Sequence, residues 1–325
     1  MDSPDDNSGL SLVDGMVYER GRMVDVKYAV VIVTYNREKL LRDCVRHVEA
    51  QMVPADKVII VNNASTDGTS AYLQQLGRKS NIYQIIECPE NVGGAGGFAK
   101  GIAQAMACDV DCLLLIDDDA MLTKDYMYCL LAARSNNPRY QAFAGSVKTN
   151  HEFDLCHRRK LSKIGLLFRN CPISMYKRRY FTCDIVSFCG MLLDLSLVRM
   201  IGLPHAEYFI WNDDAEYSLR IRRYSRFLVA PEAVLEHRTV STVMQSRPRK
   251  YEWRDYYAIR NRILLVKEHG TVLDRVVNAV HLFFHVLFRN WLFGIIRAGN
   301  YDWKYEKKLV KEAIKDSRSY KTFVC

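Results

Sequence analysis

Four stretches of the chain carry the apolar pattern of strands buried on both faces, and helical patterns separate them. YAVVIVTYN (28–36) is a continuous run rich in β-branched residues, and KVIIVNN (57–63) repeats it. NIYQIIEC (81–88) and CLLLIDDDA (112–120) supply two more. Between them, Leu40, Leu41, Cys44, Val45 and Val48 share one side of a helix predicted over 37–51. Residues 69–76 form a second helix, and in 91–107 a glycine-rich turn feeds an alanine-rich third. This alternation predicts an α/β fold with a doubly wound, mixed but mainly parallel sheet flanked by helices. Ligands bind such sheets beyond the carboxyl ends of the strands. The polar endings TYN, NNASTDG, PENVGG and DDDA are therefore expected to converge on one site.

Past residue 140 the pattern loosens. AFAGSV (142–147) and DIVSFCGMLL (184–193) have strand character, and FLVAPEAVLEHR (227–238) predicts a short strand near its start. From about residue 251 the chain turns helical. The predicted organisation is a polar, flexible leader over 1–25, an α/β domain over 26–248 and a helical region over 249–325. LFFHVLFRNWLFGII (282–296) is aromatic and interrupted by His285, Arg289 and Asn290, which suits an interfacial helix better than a membrane span.

Charge and cysteine content narrow the partners. The net charge of +9 gathers in HRRK (157–160), KRR (177–179), RIRRYSR (220–226) and RPRK (247–250). Nucleic acid, pyrophosphate and anionic headgroups all suit such clusters. No nucleic-acid motif accompanies them, so no nucleic-acid partner is expected. The 10 cysteines never form a CxxC pair, which reads as reduced, mostly buried thiols rather than a zinc site or disulfide framework. The N-terminus lacks a signal-peptide pattern, so a cytoplasmic location is expected.

Candidate chemistry sits at two acidic groups. Asp117, Asp118 and Asp119 end a hydrophobic strand, where adjacent carboxylates repel unless a cation compensates. A hard divalent ion, Mn2+ or Mg2+, would do so and keep positions open for phosphate oxygens. Asp213, Asp214 and Glu216 crowd together in FIWNDDAEYSLRI (209–221) and offer a base to deprotonate a hydroxyl. Helix capping is the plainer reading of Asn212 or Asp213. His237, just past a predicted strand, is a candidate further metal ligand. The glycines of NVGGAGGF (91–98) fit neither a dinucleotide loop nor a Walker loop; they suit close backbone approach or tight packing.

YAVVIVTYNR, IIVNNASTDGT, IDDDA and WNDDAE, in this order, resemble glycosyltransferase family two and its GT-A fold across about residues 28–240. ENVGGAGGFAKG, FIWNDDAEYSLR and YYAIRNR resemble its galactofuranosyltransferase branch, much of which rhamnosyltransferase-like members share. The resemblance makes 26–248 the catalytic domain and implies donor contacts from Thr34, Tyr35, Arg37, Asn62, Asn63 and Asp67. Asn91, Gly94, Asp117 and Asp118 would complete the donor site. Many relatives carry aspartate where this chain has Asn63. Asp117, Asp119 and His237 would hold the metal. Asp214 would be the general base, with Asp213 and Glu216 on sugar or acceptor hydroxyls and Trp211 and Gly190 at the acceptor side. The QxxRW motif of processive relatives is absent.

The implied activity is inverting, metal-dependent sugar transfer, with UDP-galactofuranose as donor and a glycan or lipid-linked glycan as acceptor. dTDP-rhamnose is the alternative donor. A non-catalytic nucleotide-sugar or carbohydrate-binding protein is the alternative of another class, and two acidic groups argue against it because binding needs no base. Basic residues near 220–254 are expected to neutralise the departing diphosphate. The aromatic helix is expected to hold the protein at the inner face of the cell membrane. A homo-oligomer is compatible with the sequence.

Overall fold

The structure, a computed structural model, describes residues 10–13, 16–19, 22–24, 26–238, 252–284 and 303–320. Within the expected leader, β1 (Leu10–Val13), β2 (Met16–Glu19) and β3 (Arg22–Val24) pair antiparallel. This departs from the expectation of a flexible leader. The polar composition hides short apolar runs, and an Asp-Gly pair of the kind favoured in hairpins separates the first two in sequence.

The main sheet is built first from β4 (Tyr28–Thr34), β5 (Lys57–Asn62), β6 (Tyr83–Glu87) and β7 (Cys112–Asp117). These four are mutually parallel, in the order β7-β4-β5-β6. Their connections include α1 (Glu38–Glu49), α2 (Thr69–Lys79) and α3 (Gly93–Met106). Side chains alternate across the sheet. Val30, Ile32, Ile60 and Leu114 pack with Leu41 and Cys44 of α1 and Leu73 of α2. Val31, Val33, Ile59 and Leu115 pack with Phe98 and Ile102 of α3. Gly97 and Gly101 allow α3 to lie close on β4, since a Cβ there would sit 2.5 Å from Val33 and 2.3 Å from Val31.

After β7 come β8 (Ala120–Leu122), α4 (Tyr126–Asn136), β9 (Ala142–Thr149), β10 (Glu152–Phe153), β11 (Arg158–Leu161), β12 (Phe168–Asn170) and β13 (Phe181–Cys183). The expected single strand over 184–193 is two, β14 (Ile185–Val186) and β15 (Met191–Asp194). Gly190 breaks it: its φ is +85°, and an added Cβ would lie 2.3 Å from the Tyr126 hydroxyl. β15 runs antiparallel to both β7 and β9, which makes the sheet mixed. β11 and β12, from the stretch between the expected strands 142–147 and 184–193, form a small separate sheet with β14.

α5 (Leu195–Ile201) and α6 (Asp213–Ile221) precede β16 (Phe227–His237), which is eleven residues long rather than short. A register shift between Val229 and Val234 accommodates Pro231, which has no N–H for the ladder. The chain ends in α7 (Trp253–His269), α8 (Val272–Leu282) and α9 (Trp303–Ser319). Most of the aromatic segment 282–296, and the RPRK cluster, lie outside the described residues. Among the described residues, no helix is long and apolar enough to cross a membrane.

Candidate active site

The carboxyl ends of β4 and β7 and the far end of β16 meet. Thr34, the last residue of β4, donates its hydroxyl to Asp118 at 2.7 Å. Arg37, one turn further, reaches Asp118 at 3.2 Å and Asp119 at 2.7 Å. β8 folds back from the aspartates and pairs with β16, placing His237 opposite Ala120. The Arg238 N–H then donates to the Asp119 carbonyl at 2.8 Å. His237 Nε2 thereby stands 3.1 Å from Asp119 Oδ1.

The electrostatics are those of a crowded anion site. Burial, then the charge of Asp119, pushes Asp117 up to about 7. Burial pushes Asp118 up to about 6 against the pull of Arg37 and Thr34. At Asp119 burial is outweighed by His237 and Arg37, and the acid is lowered. Burial also opposes the charge on His237, but Asp119 and Asp117 raise it. Asp119 Oδ1 and His237 Nδ1 are buried and lack hydrogen-bond partners, despite the short approach between the two side chains. A carboxylate oxygen met only by His237, an imidazole nitrogen without a hydrogen bond and a carboxyl held up by burial and its neighbours fit a divalent cation. His237 thus stands beside Asp119, and it shares a space with Asp117 and Cys189 whose ligand atoms lie within 4.8 Å of one another.

The second acidic group opens α6. Asp213 is pushed up to about 8 by burial and then by Asp214, with Asp117 among the charges that contribute. That contribution puts the two acidic groups within electrostatic reach of each other. Asp214 pairs with Arg159 at 3.3 Å. Glu216 is elsewhere: it is 1% exposed, is gripped by Arg220 through two bonds of 2.8 Å and accepts from His269. One helical turn separates it from the opening of α6, so it faces the core and anchors α7 instead of a substrate hydroxyl.

The loop before α6 is under backbone strain. Phe209, Trp211 and Asn212 all have φ above +60°, a conformation that side chains with a Cβ resist. Three attachments hold it. Asn261 of α7 donates its amide to the carbonyls of Tyr208, Ile210 and Trp211 at 2.7–3.0 Å. The Ala95 N–H donates to the Phe209 carbonyl at 3.1 Å. Gly93, at φ +74°, passes so close that a Cβ would lie 2.1 Å from that same oxygen. Trp211 stays 37% exposed at the entrance to α6. Asn261→Ala is expected to cost about 2 kcal/mol, because it strands buried carbonyls, and to slow turnover. Asn261→Asp, though isosteric, should be at least as damaging because it replaces a donor with an acceptor; urea midpoints and transfer rates measure both.

Other expected donor contacts divide. Tyr35, Asp67 and Asn91 are exposed along the strand ends, and Gly94 lies in the open first turn of α3. Asp67 accepts from the Glu38 and Thr69 N–H groups, and Asn91 from that of Gly93, so both shape loops. Asn63 is 2% exposed, donates to the Gly93 carbonyl at 2.8 Å and accepts from the Val92 N–H. Asn62 is bound to Ser70, Glu87 and the Ser65 N–H. Their side chains brace the floor of the site. Gly190 is buried and serves the turn already described rather than an acceptor surface.

The basic clusters are largely engaged internally. Arg158 is fully buried and donates to the carbonyls of Gly145, His157 and Cys189. Arg222 and Arg226 both reach Asp184. Arg222 and Arg226 are thus committed to Asp184, while 239–251 of the basic stretch expected near 220–254 lie outside the described residues. Arg37, at the aspartate turn itself, is paired with both Asp118 and Asp119. Pattern analysis missed Asn261 as the loop's anchor and Cys189 beside the metal-ligand candidates, because each acts on partners distant in sequence.

The family model for glycosyl transferase family 2 matches residues 29–199. A poly-beta-1,6-N-acetyl-D-glucosamine synthase of Staphylococcus aureus is 23% identical over 197 residues, 60% of this chain and 46% of the relative. The chain thus spans about half the length of the curated relatives it matches. In structure it resembles S. aureus TarS residues 1–349 with a TM-score of 0.56 at 14% identity, covering 90% of this chain and 81% of that one. GalNAc-T7 crystallised with UDP, GalNAc and Mn2+ gives 0.60 at 13%, covering 89% and 55%. The Pyrobaculum calidifontis mannosyltransferase PcManGT, solved with GDP-Man and Mn2+, gives 0.51 at 14%, covering 91% and 76%. The architecture is the GT-A-like one of these neighbours, with helices added at the C-terminus, and the chain belongs to glycosyl transferase family 2.

Proposed function

We propose that the protein is an inverting, divalent-cation-dependent glycosyltransferase using a nucleotide-sugar donor. The observation that carries this is the approach of His237 to the buried Asp119 at 3.1 Å, beside Asp117 and within electrostatic reach of Asp213. The solved neighbours bound to UDP-GlcNAc or to GDP-Man with Mn2+ support the donor class and the ion. A bound Mn2+ or Mg2+ would offset the charge of the departing diphosphate. Arg37 braces the aspartate turn beside it. Trp211 offers its face to a sugar ring. Asp214 takes the proton of the acceptor hydroxyl as its oxygen bonds to the anomeric carbon; the anomeric carbon–phosphate oxygen bond breaks on the opposite face, and its electron pair leaves with the diphosphate.

Galactofuranose from UDP-galactofuranose is the donor we favour. ENVGGAGGFAKG, FIWNDDAEYSLR and YYAIRNR carry the resemblance to that branch, and these segments meet: Gly93 lies against Phe209, and Asn261 bonds the carbonyls of Ile210 and Trp211. dTDP-rhamnose is the second candidate. A panel of nucleotide sugars including both and UDP-GlcNAc, scored by nucleoside diphosphate released in Mn2+, tests the reading. Release dependent on an acceptor glycan supports it. No release from any donor rejects it.

The acceptor we propose is a glycan or lipid-linked glycan met at a membrane surface. Leu273, Val276, Val280, Phe283 and Phe284, at helical spacing on and just beyond α8, are each at least half exposed. A groove lined by Ile263, Val266, Leu282 and Ile314, with Lys267 and Arg275 at its side, runs beside it and shares no residue with the acidic site. Val276→Asp with Val280→Asp is expected to abolish co-flotation with anionic vesicles and leave donor hydrolysis unchanged; undiminished flotation would remove α8 as the contact.

A further inference from the structure

We propose that Cys189 is a ligand of the cation centre, its thiolate completing a mixed donor set with Asp117, Asp119 and His237. The proposal deepens the cation-assisted reading above and rests on it. Cys189 Sγ, a carboxylate oxygen of Asp117 and a ring nitrogen of His237 all lie within 4.8 Å of one another, the spacing of donors around one ion. The backbone that carries the sulfur is held on both sides. The Cys189 carbonyl accepts from Arg158 at 3.0 Å, and the Gly190 N–H donates to Leu115 at 2.9 Å. Gly190, at φ +85°, supplies the bend that turns residue 189 toward β7.

A second observation points to the same space. The Asp119 side chain is only 4% exposed, and its Oδ1, beside His237, has no hydrogen-bond partner. A buried carboxylate oxygen without a partner is costly unless a cation takes it up. The resulting set is two carboxylates, one imidazole and one thiolate. Magnesium and manganese suit the oxygen donors, whereas sulfur and imidazole favour zinc, cobalt and cadmium. As the metal–sulfur bond forms, the thiol proton leaves to solvent and the sulfur lone pair enters the bond. The centre should therefore accept borderline and soft divalent ions more tightly than an all-oxygen site would. The absence of a CxxC pattern conceals this, because a single cysteine joins ligands from three other places in the chain.

Co2+ added to the purified, metal-free full chain tests the assignment without reference to turnover. The wild type is expected to show a thiolate-to-cobalt charge-transfer band in the near ultraviolet together with visible d–d absorption. In Cys189→Ser the ultraviolet band should vanish while the d–d absorption persists. Cd2+ affinity should fall about ten- to hundredfold, at least what the loss of an outer-shell partner costs. Cys189→Ala, which removes the polar atom from a buried position, is a second variant should the serine disturb folding. An ultraviolet band unchanged in both variants overturns the proposal, as does Co2+ that fails to bind the wild type. Charge transfer lost in Cys189→Ser, in a protein that releases no nucleotide from any donor, would uphold the ligand and reject the sugar-transfer reading.

Discussion

Asp119→Asn is expected to reduce cation-dependent donor turnover by about a thousandfold, close to the roughly 4 kcal/mol that a bound ion contributes to leaving-group stabilisation. Asp119 occupies the crossing point of the site. One oxygen accepts from Arg37 at 2.7 Å and the other faces His237. Its main chain is tied to Arg238. Asparagine keeps the shape and the backbone contact but removes the negative charge that a cation requires. It also aims an amide at Arg37 or His237, neither of which can benefit fully from it. Turnover at saturating Mn2+ should fall while the urea midpoint moves little. EDTA treatment of the wild type should reproduce the loss, and Mn2+ should restore it. A variant with near-normal turnover would show that the ion is held elsewhere or is not needed.

The parts of this site that were legible in the sequence are those whose cause is local. Val30 to Val33 and Leu113 to Ile116 announce buried parallel strands because both faces are apolar. Their polar ends then have to meet, since parallel strands place all their carboxyl ends on one edge. His237 was legible as a candidate, but its delivery depends on β8 folding back to pair with β16, a long-range match no spacing encodes. The two asparagines illustrate the limit better. Asn63 follows a strand and resembles a nucleotide contact, yet its partners are the backbone of residues 92 and 93, brought close by the turn into α3. An aspartate there could accept from Val92 but not donate to Gly93, so the asparagine has a structural reason in this chain. Glu216 was misplaced for the opposite reason. Proximity to Asp213 and Asp214 along the chain suggested a shared task, but the helical turn rotates it onto Arg220 and His269.

Strain and charge around α6 together explain why the base is expected on a single residue of the acidic pair. Burial and the neighbouring charge of Asp214 both favour the neutral form of Asp213. Asp214 is paired with Arg159, whose guanidinium offsets a negative carboxylate there. The loop of Phe209, Trp211 and Asn212 sets the angle at which both enter the site, and Asn261 locks that angle.

Asp214→Asn is accordingly expected to leave nucleotide-sugar affinity within about twofold of wild type and to lower transfer by roughly 10²–10⁴, the range a positioned general base supplies. Asp213→Asn should be milder, since an amide can still donate where the protonated acid does. The paired comparison matters because both changes touch the first turn of α6, where loss of a carboxylate also weakens the helix by about 0.3–1 kcal/mol. Equal damage from the two would therefore indicate a disturbed helix rather than a lost base. Donor affinity by calorimetry, transfer by product formation and melting temperature separate these outcomes. Arg159→Met adds an independent check: it removes the partner that orients the Asp214 carboxylate at 3.3 Å, so transfer should fall while donor affinity holds. Transfer unchanged in that variant would assign the proton acceptor to another residue.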